Sequence, residues 1–136
     1  MRPSISVAMA GLVCFSTYVS AQPNKQLYQL QERCGRQAAE AFQREYGPGA
    51  DREDEQTLFH YENHYSARLN KCFFLEIAVS HKPTSSKIMR LFDLNENKVY
   101  GTFVSGPTEP LACAVRGKGC QSESEWRQLL KPFMED

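Results

Sequence analysis

The chain of 136 residues supports one domain and not two. Lysine plus arginine and aspartate plus glutamate both number 16, so no excess of charge points to nucleic acid or another polyanion. With 41% hydrophobic and 11% aromatic residues the chain is too apolar for a disordered tail, and its single long apolar stretch, at the N-terminus, excludes a polytopic membrane protein.

That stretch reads as a secretory signal peptide over residues 1–21. Arg2 supplies the positive start, Ile5 to Val19 is an uncharged run of 15 residues, and Val19-Ser20-Ala21 presents the residues a signal peptidase reads before Gln22. A spanning helix needs about 20 apolar residues, and Ser16, Thr17 and Ser20 interrupt this one. Cys14 follows Val13, a poor neighbour for an acylated cysteine, so Cys14 is expected to leave with the signal. Removing 21 of the 136 residues leaves a single domain at 22–136, 115 residues with 15 basic and 16 acidic side chains. A chain of that size buries about two-thirds of its unfolded surface. It is expected in the periplasm or secreted, without a membrane attachment.

Apolar positions Leu27, Leu30, Cys34, Ala38, Ala41 and Phe42 recur at helical spacing and predict an amphipathic helix over 24–46, stopped by Gly47-Pro48. A polar connector, 48–56, carries Glu53-Asp54-Glu55 but lacks the alternating ligands and turn glycine of a calcium loop. From Thr57 the period changes to two, with Phe59, Tyr61 and Tyr65 on one face and His60, Glu62 and His64 on the other. After a turn at Arg68-Leu69-Asn70-Lys71 come strands over Cys72–His81, Lys87–Leu94 and Lys98–Val104, separated by Lys82–Ser86 and by Asn95-Glu96-Asn97. Ser122 opens a final helix with a capping box to Glu125, its apolar face is Trp126, Leu129 and Leu130, and Pro132 is expected to end or kink it. The expected fold is α+β: a four-stranded antiparallel meander flanked by an N-terminal and a C-terminal helix and stapled by disulfides.

Export leaves Cys34, Cys72, Cys113 and Cys120, an even number that suggests two disulfides in one of three connectivities. The segment between Cys113 and Cys120 contains two glycines that allow a tight reversal, which pairs those two and leaves Cys34 with Cys72. No pair has the C-x2–4-C spacing of a structural zinc site.

Three constellations bear on function. His60, Glu62 and His64 are the ligand types of an open zinc site, but on a flat strand the outer two lie about 13 Å apart at about 3.3 Å per residue, so they are weak metal candidates. Arg116 and Lys118 each precede a glycine in the stapled segment, a pre-organised basic loop suited to binding a partner. Phe59, Tyr61, Tyr65, Tyr100 and Phe103 are expected as core in preference to a ligand pocket. The chain has no G-x-S-x-G, P-loop, H-E-x-x-H or dinucleotide fingerprint, so no catalytic residue and no cofactor is assigned.

Through Tyr61-Glu62-Asn63-His64-Tyr65, Leu69-Asn70-Lys71-Cys72-Phe73, Leu91-Phe92-Asp93, Lys98-Val99-Tyr100-Gly101 and the segment 122–134, the chain resembles a group of small exported bacterial proteins. The resemblance spans roughly residues 30–134 and implies an exported single domain of this layout, with no activity, substrate or cofactor attached. The expected function is therefore an exported, non-catalytic module that binds a protein or an envelope component. A metal- or small-ligand-binding periplasmic protein is the alternative, and a small hydrolase comes third. A binder should present an exposed basic or aromatic patch, a ligand carrier a pocket between helix and sheet.

Overall fold

The computed structural model describes residues 22–48 and 56–135; the signal segment 1–21 and the acidic run Glu53-Asp54-Glu55 lie outside these. The elements are α1 (Gln22–Tyr46), β1 (Thr57–Ser66), β2 (Lys71–Ser80), β3 (Ser86–Asp93), β4 (Lys98–Val104), β5 (Ala112–Val115), β6 (Lys118–Gly119) and α2 (Glu123–Met134). All strands join one antiparallel sheet in the order β1 to β6. The fold class is the expected α+β, but the sheet has six strands instead of four. The two extra strands come from the stapled segment, which is a hairpin and not a loop. Arg116 (φ 52°) and Gly117 (φ 79°) form its two-residue reversal, and positive φ at both central positions matches the twist of paired strands.

Local chemistry fixes the other connections. Gly47 at φ 73° ends α1, its amide donating to the Gln43 carbonyl at 2.8 Å. Asn70 at φ 51° closes the β1–β2 turn and accepts the Tyr65 hydroxyl at 2.6 Å. At the β3–β4 turn the fully buried Asp93 carboxylate accepts from the Lys71 ammonium and from the backbone amides of Asn95 and Glu96. Hydrogen bonds to Asp93, and then to Glu96, hold the Lys71 amine well above its ordinary range. In β4, Val99 pairs with Phe92 and Gly101 with Leu91, which leaves Tyr100 as the extra residue of a bulge. Gly101 is required there, since a Cβ would lie 3.0 Å from Val115 Cγ2 and 3.2 Å from the Ala114 carbonyl oxygen.

The helices lie on opposite faces of the sheet. On the α2 side, Phe73, Leu75, Ile77, Met89, Leu91, Tyr100, Phe103 and Val115 pack with Trp126 and Leu130 in one continuous core. Trp126 is fully buried and its indole N–H donates to the Ala114 carbonyl at 3.2 Å. On the α1 side, Ala38 and Phe42 pack on Phe74 together with Tyr46, Phe59, Tyr61, Phe92 and Leu94. The Cys34–Cys72 disulfide bolts α1 to β2, and Cys113–Cys120 joins the two sides of the hairpin, as the spacing predicts.

Two details of α2 differ from expectation. Ser122 Oγ accepts the Glu125 amide at 3.2 Å, but the Glu125 carboxylate takes the amide of Gln121 and not that of Ser122, so the box closes one residue further out. Pro132 does not end the helix, which continues to Met134; the Pro132 carbonyl accepts from Arg68 instead. Near the start of α2, burial pushes the Glu123 carboxyl upward, and hydrogen bonds from Lys87 and Arg127 more than reverse this, leaving it below its usual range.

Candidate functional site

The first helix contacts chiefly β1 and β2 and reaches β3 at Phe92, so beyond Phe92 the α1-side face of β3, β4 and β5 has no covering helix among the described residues. By register that face carries Ile88, Arg90 and Phe92 from β3, Val99, Thr102 and Val104 from β4, and Ala112 and Ala114 from β5. Ile88 and Val99 are 41% and 50% exposed, unusual for branched aliphatic side chains on a sheet.

Two adjoining depressions occupy this face. The first is a cleft of about 620 Å³ between the C-terminal half of α1 and the sheet. Ala41, Arg44, Glu45 and Tyr46 line it from the helix, Phe74, Glu76, Arg90 and Phe92 from the strands, and Leu94 and Asn97 from the turn. The second, about 390 Å³, is lined by Lys98 to Thr102, Ala114, Arg116 and Gly117. They meet where Phe92 and Val99 face each other across β3 and β4.

The floor of the cleft carries one ion pair. Glu76 and Arg90 are direct cross-strand partners, and Arg90 Nη2 donates to Glu76 Oε1 at 2.8 Å. Glu76 is only 6% exposed, so the guanidinium is the group that makes a buried carboxylate tolerable. The Arg90 guanidinium lies 5.5 Å from the Phe92 ring centroid, and its buried Nε–H has no hydrogen-bond partner among the described residues. Arg44, Lys98 and Arg116 form no ion pair with any described carboxylate. By register Lys98 pairs with Asp93, and the Arg116 guanidinium lies over Tyr100, both on the α2 side. Of the three, only Arg44 stands over the open face, where Arg90 and Thr102 separate Ile88 and Val104 from Phe92 and Val99.

The residues singled out from sequence are dispersed around this face. Arg116 and Lys118 are both exposed, but only Arg116 lines the second depression, with its guanidinium 4.7 Å from the Tyr100 ring centroid. Lys118 pairs with Val115, a core residue of the α2 side, and by register belongs to that side. His60, Glu62 and His64 pair with Ile77, Leu75 and Phe73, which also places them on the α2 side. The β1–β2 register is unbroken, so β1 lacks the bulge that one metal ion would need to reach both histidines. Among the described residues no group of three His, Cys, Asp or Glu gathers at metal-binding spacing. The five aromatics divide: Phe59, Tyr61 and Tyr65 pack on α1, Tyr100 and Phe103 in the core beneath α2, so they line no common pocket.

Glu76, Arg90, Arg44 and Val99 were not among the sequence candidates. The available signal was a single carboxylate inside the apolar run Cys72–Val79 and a single arginine inside Ile88–Phe92. Only the register shows that the two charges face each other. No family model, no curated protein and no solved structure matches the chain.

Proposed function

We propose that the protein is an exported, non-catalytic binding module that holds a protein or an envelope component on the open half of its sheet. The observation that carries this reading is the half-covered α1-side face of β3–β5, with Ile88 and Val99 exposed on it and Arg44, which forms no ion pair with any described carboxylate, at its edge. A monomeric surface seldom leaves a contiguous apolar patch unused. The cleft between helix and sheet belongs to this same surface; it is the deep end of an open trough and not an enclosed ligand cavity.

Two disulfides fit an oxidising compartment, and residues 1–21 supply the export signal, so the module works in the periplasm or outside the cell. No helix among the described residues is long and apolar enough to cross a membrane.

Native mass spectrometry of protein recovered from the exported fraction of its host, without reductant, tests this reading. The expected mass is that of Gln22–Asp136 less four hydrogens, accompanied by a companion molecule that Val99→Asp and Arg44→Glu both lose. A companion retained by both variants removes the open face from the account. An uncleaved or fully reduced chain removes export.

A further inference from the structure

We infer that the outer edge of β1 pairs with β1 of a second copy, antiparallel and about a two-fold axis at Tyr61, so that two sheets join into one. The open face plays no part in this contact. The sheet order ends in β1 and β6. Strand β6 is two residues long and belongs to the disulfide-closed hairpin, which leaves almost no ladder to extend. Strand β1 is ten residues long, keeps an unbroken register with β2, and contains no proline, lysine or arginine. A short strand, a bulge, a proline or a basic side chain ordinarily blunts an edge, and β1 has none of them.

Backbone direction identifies the groups left over. The His81 amide donates to the Gln56 carbonyl at 3.1 Å, one step beyond the Thr57–Ser80 pair. Hydrogen-bonded pairs alternate from there, so Leu58, His60, Glu62 and His64 turn their amides and carbonyls to β2. Thr57, Phe59, Tyr61, Asn63 and Tyr65 turn theirs outward, and no hydrogen bond between described backbone groups reaches them. Such a row specifies its partner as a sheet face cannot: an extended strand with its own amides and carbonyls unused at alternate residues. A second β1 meets that condition. On the flank of α1 turned toward this edge, Gly35 stands over Asn63, where a Cβ would meet only Asn63 Nδ2, at 4.0 Å, and Ala39 follows one turn later. Small side chains there leave room for α1 of the second copy.

Charge selects the register. Between two like antiparallel strands the alternation of outward groups places the axis on a residue and not between two. Axes at Tyr61 and at Glu62 both keep nearly the whole strand paired. With the axis at Glu62, that carboxylate would face its own copy. With the axis at Tyr61, Glu62 of each copy faces His60 of the other, and Leu58 faces His64; opposite partners of this kind favour pairing, and like charges oppose it. Glu62 and His60 are both exposed on the α2 side of β1. Arg127, Lys131 and Glu135 of α2 line a hollow with Glu62, yet it forms no ion pair with any described residue.

Sedimentation velocity on the mature, oxidised protein tests this, with melting curves confirming that each variant is folded. The native protein should sediment with twice the mass of one chain at submillimolar concentration. His60→Glu opposes carboxylates at both contacts and should weaken association about tenfold or more. The exchange His60→Glu with Glu62→His should restore it, because an axis at Tyr61 brings the swapped partners together again. Asn63→Pro removes an outward amide that the single chain does not use, a change an edge strand tolerates, and should also weaken association about tenfold or more. If Asn63→Pro does not fold, the charge exchange decides alone. A single-chain mass at every concentration overturns the proposal. So does a dimer that survives His60→Glu, or one that Val99→Asp dissolves, which would move the contact to the open face. An exchange that fails to restore association overturns the axis at Tyr61. A companion of different mass, released by Asn63→Pro, overturns the second copy as the occupant of this edge.

Discussion

The two faces of one sheet have been finished to different degrees. Beneath α2 the apolar side chains of β2, β3, β4 and β5 are buried under a helix that reaches from β1 to β5, with Trp126 sealing the centre. On the opposite face the covering helix reaches no further than Phe92 of β3, and the remaining strands show aliphatic side chains and arginine to solvent. The faces differ in composition as well as cover: large apolar side chains fill the closed one, whereas Glu76, Arg90, Thr102, Ala112 and Ala114 interleave the aliphatic residues of the open one. Stability is concentrated on the closed face, and the open one is the face proposed for binding.

The largest effect should come from the closed face. Trp126→Ala removes a fully buried indole and its bond to Ala114 and should cost about 3–5 kcal/mol in urea unfolding with the disulfides intact. A loss below about 1 kcal/mol would mean that the two faces do not differ as described. Next comes the staple of the half-open face. Replacing Cys34 and Cys72 together by alanine releases a closure across 38 positions and should cost about 3–4 kcal/mol. Amide exchange should quicken first in α1, while α2 keeps its protection; uniform loss of protection would show that α1 is as integral as α2.

A directional effect follows from Lys71, whose amine is raised above its ordinary value of 10.5 by Asp93 and Glu96. A raised folded-state value means that this contribution is complete below pH 10.5 and disappears as the pH climbs beyond it. The denaturation midpoint of the native chain should therefore fall more steeply above that pH than the midpoint of Lys71→Met; parallel curves would remove Lys71 from the turn's energetics. The smallest effects belong to the exposed positions outside the closed core. Val99→Asp should change stability by about 0.5 kcal/mol or less. Arg116→Ser with Lys118→Ser should lose at most about 1 kcal/mol, the worth of the contact with Tyr100. Thermal melts that drop as far as that of Trp126→Ala would erase the distinction between the faces.

Much of this architecture was legible along the chain because its signals are local. Gly47-Pro48 marks the end of α1, the period-two runs mark β1 to β4, and the glycines between Cys113 and Cys120 mark a reversal. The hairpin strands were not legible: Ala112–Val115 is four residues long and Lys118–Gly119 two, too short for periodicity to register. The face assignment was also hidden. His60, Glu62 and His64 read as a solvated face, yet they share a side with Ile77, Leu75 and Phe73, and only the position of α2 reveals it. The open trough is the least local feature of all, since it depends on where α1 stops across the sheet. No pattern within α1 encodes that width.

The connectivity of the disulfides carries a consequence for biogenesis. Cys34 joins Cys72 and Cys113 joins Cys120, so each pair closes before the next begins and neither loop encloses the other. For a chain that crosses a membrane N-terminus first, every cysteine's native partner is the one that follows or precedes it in order of emergence. An oxidant that simply couples thiols as they arrive would make both correct bonds, and the other two connectivities would need a cysteine to wait. Correct folding of this domain in an oxidising compartment should thus depend on a thiol oxidase and be indifferent to a disulfide isomerase.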